Sequence, residues 1–140
     1  MKTARVLIAL IAIAVFSSLA HAEPDAPPPA ASQPAEKSAP LAIQATFDIL
    51  WKAILDNNQP AFVGQGDLAF RTAATVPVVR DVNAFVGPRA ARGLTATYLG
   101  DMKAKGYRID LWKLVFKDDG DDLLVSLSTK DGVVAGFFFR

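Results

Sequence analysis

Residues 93–139 read GLTATYLGDMKAKGYRIDLWKLVFKDDGDDLLVSLSTKDGVVAGFFF. Three breaks divide this run, at Lys105-Gly106, Asp119-Gly120 and Asp131-Gly132. Between them the residues are mostly apolar, β-branched or aromatic, in pieces of strand length. Asp-Gly between apolar runs is a strong hairpin signal, because a type I′ turn needs positive φ at both central residues. The spacing predicts strands over about 93–103, 107–117, 122–129 and 132–139, joined as an antiparallel meander. The aspartates around Gly120 are then read as turn chemistry, with their charge held in solvent at a hairpin tip. A calcium site needs six or more oxygens around one ion, and DDGDD lacks the spacing of the known loop. No metal site is expected.

Strand alternation sorts the side chains. Arg108, Asp110, Trp112, Leu114 and Phe116 share one face of the second strand. Tyr107, Ile109, Leu111, Lys113, Val115 and Lys117 share the other. In the last strand, Val133, Ala135, Phe137 and Phe139 oppose Val134, Gly136 and Phe138. Both sheet faces are substantially apolar. One face can pack on helices, and the other needs sheet curvature or a partner to cover it. A homodimer formed sheet to sheet is therefore expected.

Upstream the period changes to helical. In 41–57, Ile43, Phe47, Leu50, Trp51 and Ile54 recur at helical spacing, with Gln44, Asp48, Lys52 and Asp56 opposite. Asp48 and Lys52 are placed to pair. Ser38 and Pro40 suit the start of this helix, and Asn57, Asn58 and Pro60 suit its end. Residues 59–73 read as short elements around a turn at Gly64 and Gly66, with Phe62 and Phe70 capping the core. Residues 76–86 predict a second helix, with Val78, Val82, Phe85 and Val86 on one face. Gly87-Pro88 is expected to stop it.

The first 22 residues have Lys2 and Arg5, an apolar run from Val6 to about Phe16, and then Ala20-His21-Ala22. This is the layout of a secretory signal cleaved after Ala22, which points to a bacterial periplasmic or secreted protein. The rival reading, a retained anchor, meets an apolar stretch shorter than the ~20 residues a spanning helix needs. Residues 23–40, EPDAPPPAASQPAEKSAP, read as a Pro/Ala-rich extended linker, with Pro27–Pro29 as an alternative recognition motif. Residues 41–140 form one α+β domain.

Loss of the leader removes two of the 15 basic residues, leaving 13 against 14 acidic ones. Such a balance gives no electrostatic reason to bind nucleic acid or anionic lipid. His21, the one histidine, leaves too, and the chain has no cysteine. Zinc, copper and haem sites depend heavily on those ligands, so no cofactor is expected. Ser-His-Asp and Cys-His catalysis are excluded, and any chemistry must rest on carboxylates, Lys, Tyr, Ser or Thr.

A long first helix, the segment NNQPAFVGQGD, a helix ending in Phe85-Val86-Gly87-Pro88, and a meander closing on Lys130-Asp131-Gly132-Val133-Val134-Ala135-Gly136-Phe137 together resemble the nuclear-transport-factor-2-like superfamily. The resemblance covers residues 41–140. It implies a curved sheet wrapped on helices, with a pocket inside a cone. It also implies a choice among ketosteroid-isomerase-like enzymes, dehydratases and non-enzymatic binding or dimerisation modules. The dehydratase His–Asp pair is absent here.

Three readings follow. The first is a non-enzymatic module binding a small apolar ligand or a protein partner. Its pocket would be lined by Phe47, Trp51, Trp112 and Phe116, with Asp110 and Lys52 as polar anchors. Against it stands a filled core, in which Asp110 pairs with Arg108 or Lys52. The second is a carboxylate-based isomerase or lyase, with Asp110 as base and Tyr98 or Tyr107 as hydrogen-bond donor. It requires Asp110 to face a cavity without a neutralising cation. The third is a homodimeric interaction protein working through the outer sheet face.

Overall fold

A computed structural model describes residues 37–140. The expected signal peptide lies outside the described residues, as does the linker up to residue 36. Four helices precede four strands: α1 Leu41–Leu55, α2 Gln59–Val63, α3 Leu68–Ala73, α4 Val76–Ala90, β1 Leu94–Ala104, β2 Tyr107–Phe116, β3 Leu123–Lys130 and β4 Val133–Phe139. The strands form one antiparallel sheet in the order β1-β2-β3-β4. The fold is thus α+β, helices followed by an open four-stranded meander. Among the described residues no helix is long and apolar enough to cross a membrane.

Local chemistry sets most boundaries. Asn57 takes positive φ after α1, a conformation Asn tolerates better than most residues. The Asn58 side chain then accepts from the Ala61 amide to start α2, and Asp67 does the same for Phe70 in α3. Gly66 is required by a close approach: a Cβ there would lie 2.0 Å from the Phe70 ring. Gly87-Pro88 does not end α4, which runs on to Ala90 with Pro88 inside it. The chain leaves the helix three residues later, at Gly93, whose φ is +121°. The buried stripe of α4 is Val79 and Val86 with Val82 half-buried, whereas Val78 and Phe85 are exposed. The expected face was therefore turned by about one residue toward the solvent side.

Two of the three expected tight turns have the required backbone. Lys105-Gly106 and Asp131-Gly132 each show positive φ at both residues. Asp119-Gly120 does not. Instead, residues 117–122 form a longer connection between β2 and β3.

The core lies between the helices and one sheet face. Asp110, Trp112, Leu114 and Phe116 of β2, and Leu123, Val125, Leu127 and Thr129 of β3, are buried on that face. Phe47 of α1 stacks on Trp112 at 4.3 Å between ring centroids and also meets Phe137 at 5.9 Å. Asn83 of α4 donates to the carbonyls of Ile54 and Leu55, tying α4 to the end of α1.

Candidate functional site

A groove runs between α3, α4 and β4. Its walls include Ala69, Phe70 and Ala73 of α3, Val78, Val79 and Val82 of α4, and Ala135–Phe139 of β4, enclosing about 370 Å³. Every one of these side chains is apolar. Val78, which departs from the expected buried face of α4, opens onto it.

The backbone of β4 adds a polar element. Leu124 and Arg140 exchange both of their backbone hydrogen bonds, at 2.8 and 2.9 Å. Antiparallel ladders alternate, so Phe138 also bonds to β3, while the N–H and C=O groups of Phe137 and Phe139 point away from it. Farther up the strand, the Val134 amide and carbonyl are taken by Gln65 and Asp67. Among the described residues no loop or turn takes the outward groups of Phe137 and Phe139. An apolar groove therefore lies against a free strand edge.

The residues expected to form a site are placed elsewhere. Phe47 and Trp112 are buried and stacked in the core, with Trp51 beside Phe47 and Phe139. The Trp112 indole N–H donates to Gln44 Oε1 at 3.4 Å. Lys52 is 76 % exposed and pairs with Asp56 rather than Asp48, which accepts from Gln44 instead. Phe116 lies under the Arg89 guanidinium at 4.2 Å, and neither it nor Trp51 lines the groove.

Asp110 and Tyr98 do meet. Asp110 is 0 % exposed, and the Tyr98 hydroxyl donates to its Oδ1 at 2.7 Å. Arg108 reaches the same carboxylate through two bonds of 2.9 Å, one to each oxygen, with Asp101 at 3.5 Å on its outer side. That hydrogen bonding to Asp110 holds the Arg108 guanidinium above its ordinary value. Burial, and then the bond to Asp110, push the Tyr98 phenol up. Both carboxylate oxygens are occupied by donors, so the cluster is an ion pair with a hydroxyl brace rather than a base facing a substrate. Tyr107 points to the opposite face of β2, where Lys130 sits over its ring at 5.8 Å.

Asp118, expected to be a solvated turn residue, is 9 % exposed. Arg89 of α4 donates to both its oxygens, at 2.8 and 3.1 Å, and to the Asp121 carbonyl at 2.7 Å. The hydrogen bonds from Arg89 hold the Asp118 carboxyl below its ordinary value. Among the described residues no three acidic or other ligating side chains are gathered where a metal would sit.

No protein-family model matches the chain, and no curated protein matches it. A solved structure from Novosphingobium aromaticivorans, described as an uncharacterized cystatin fold protein, aligns over 69 % of this chain and 95 % of its own, at 10 % identity and a TM-score of 0.37. At that score the likeness assigns neither a fold family nor an activity. The expected resemblance to the nuclear-transport-factor-2-like superfamily is therefore withdrawn: no family model matches the chain, and the aligned structure is described as a cystatin fold protein. The quoted motifs have general structural roles instead. Phe85-Val86-Gly87-Pro88 is the interior of a helix, and Lys130-Asp131-Gly132-Val133 is a type I′ hairpin.

Proposed function

We propose that this protein is a non-enzymatic interaction module that accepts an extended, apolar polypeptide segment along β4. The observation that supports this is the groove of about 370 Å³ beside the outward N–H and C=O groups of Phe137 and Phe139. Strand addition uses these two features together: main-chain hydrogen bonds give affinity, and a pocket for alternate side chains gives selection. The occupied carboxylate of Asp110 weighs against acid–base catalysis.

A second reading has its own support. The groove volume falls within the ~300–1,000 Å³ of small-molecule sites, and its walls are apolar. A small apolar ligand would fill the groove without touching the strand edge. Amide hydrogen exchange separates the two. A bound segment protects the amides of Phe137 and Phe139, whereas a small ligand leaves them exchanging freely. Titration with short apolar peptides that produces no protection at either amide would sink the polypeptide reading.

The site would operate outside the cytoplasm if the leader is cleaved after Ala22. Intact mass of protein recovered from a bacterial periplasm tests this, because retention of residues 1–22 argues against it.

A further inference from the structure

The two edges of the sheet are built differently. Edge strands invite pairing with other chains, and proteins blunt them with charge, proline or bulges. β1 has such devices: its register shifts between Tyr98 and Gly100, and Asp101 and Lys103 follow. β4 has a register shift as well, at Ala135, but the stretch beyond it runs regular and is not blunted. Gly136-Phe137-Phe138-Phe139 carries no charge and no proline. An uncharged, aromatic edge left open beside an apolar groove is one that a partner covers.

We propose that the partner is β4 of a second copy, paired antiparallel about a two-fold axis at Phe138. This rests on the strand-addition reading above and names its occupant. The register follows from which groups are free. With Phe138 facing its mate, Phe137 of one copy lies opposite Phe139 of the other, and each such pair exchanges both backbone bonds. Four hydrogen bonds result, and no outward group between 137 and 139 is left unpaired. The pairing is self-complementary, as a two-fold interface must be. No like charges meet at the axis, because the residues there carry none.

Side chains fit the same register. Phe138 is 54 % exposed, and its ring lies across Gly136, where a Cβ would come within 2.3 Å of it. The two Phe138 residues would form the close, non-hydrogen-bonded pair at the axis, where aromatic side chains interact best. A standard interface takes about 800 Å² from each partner. Leu68, Val76 and Val78, in the first turns of the two helices that wall the groove, add exposed apolar surface to that of Phe138. Together these four side chains offer area on the order of half that requirement, and the paired backbone and groove walls add to it. Because β1 is blunted, the paired sheet ends there on both sides and the assembly closes at two copies.

The absence of cysteine gives a direct test on the full chain. Residues in a non-hydrogen-bonded antiparallel pair have Cβ atoms about 4.5–5.5 Å apart, close to disulfide geometry. Phe138→Cys is oxidised alongside Leu99→Cys on β1 and Met102→Cys on the outer face, and cross-linking is followed on non-reducing gels. The expected result is a species of twice the monomer mass that forms at least about tenfold faster for Phe138→Cys. A rate no greater than that of the two controls overturns the proposal, and so does faster cross-linking of Met102→Cys, which would place the contact on the outer sheet face. Hydrogen exchange of the unmodified chain gives an independent readout. The Phe137 and Phe139 amides should become protected as protein concentration rises, in step with dimer seen by sedimentation. A monomer at all concentrations whose two amides are protected by added apolar peptides overturns the self-pairing but leaves the strand-addition reading standing. A monomer unprotected by any peptide removes both.

Discussion

Arg89, in the last turn of α4, grips Asp118 at two points across the connection between β2 and β3. Its guanidinium lies over Phe116 as well, and against Gly120, where a Cβ would sit 2.7 Å from its Nη2. This arrangement fixes the end of a helix to a loop that the sequence pattern marks as a simple turn. Replacing Arg89 with Lys keeps the charge but loses the two-point geometry and the flat contact with Phe116. Arg89→Lys should lower the thermal midpoint by more than Asp56→Ala, which breaks only the exposed pair with Lys52. Calorimetry of the two variants decides the order, and equal midpoints would remove the clamp from any stabilising role.

The same pair predicts a response to acid. The folded value of the Asp118 carboxyl lies below its unfolded value, because Arg89 bonds the ionised form. Its contribution is therefore present above the ordinary carboxylate value and is lost as pH falls through the lower, folded value. The stability difference between the native protein and Asp118→Asn should shrink as pH drops below about 4. Urea unfolding at a series of pH values measures it. A difference that stays constant to the acid limit contradicts the assignment.

Asp110→Asn tests the buried ion pair. It leaves the Arg108 guanidinium with only the longer contact to Asp101, at 3.5 Å, and gives the Tyr98 hydroxyl a weaker acceptor. Breaking a buried pair costs about 3–5 kcal/mol, and Arg108, at 35 % exposure, recovers some of that from water. A loss of about 3 kcal/mol in denaturant unfolding is expected. A neutral or stabilising result would show that the pair has no net value here.

Tyr98 should ionise late. Burial and the bond to Asp110 both disfavour the phenolate, so the folded value is raised and stability is lost as pH rises through it. Ultraviolet titration should show a component above the ordinary tyrosine range that disappears in Tyr98→Phe. The same component surviving in that variant would assign it to another group.

Phe47 and Val78 separate core from groove. Phe47→Ala opens a cavity among Trp51, Trp112 and Phe137 and should cost about 3–5 kcal/mol. Val78→Ala removes half-exposed surface and should change stability by no more than about 0.5 kcal/mol. The affinity for an apolar peptide should fall in Val78→Ala, however, because Val78 forms part of the groove wall. Unchanged peptide affinity in that variant would place binding elsewhere.

The sequence made the meander legible because its signals are local. Lys105-Gly106 and Asp131-Gly132 specify turns within two residues, and alternation along β2 put Asp110, Trp112, Leu114 and Phe116 on the buried face. The Arg89–Asp118 clamp was not legible, since its partners are 29 residues apart and Asp118 sits in a run that also satisfies turn chemistry. The groove was hidden for a related reason. Periodicity identifies the apolar stripe of α4 but not that Val78 and Val79 both border a gap, one exposed and one buried. That depends on how far α3 stands from β4. The aromatic residues that suggested a pocket were the ones that pack best, so they filled the space they were expected to line.

A sheet in which every strand pairs only with its neighbours in sequence needs short loop closures, and such topologies fold fast for their size. The β3–β4 ribbon, pinned by its Asp131-Gly132 turn, is then a natural early event. The Phe47–Trp112 stack, which joins the first helix to a strand some sixty residues away, would follow. Mutations in that stack should chiefly speed unfolding rather than slow refolding.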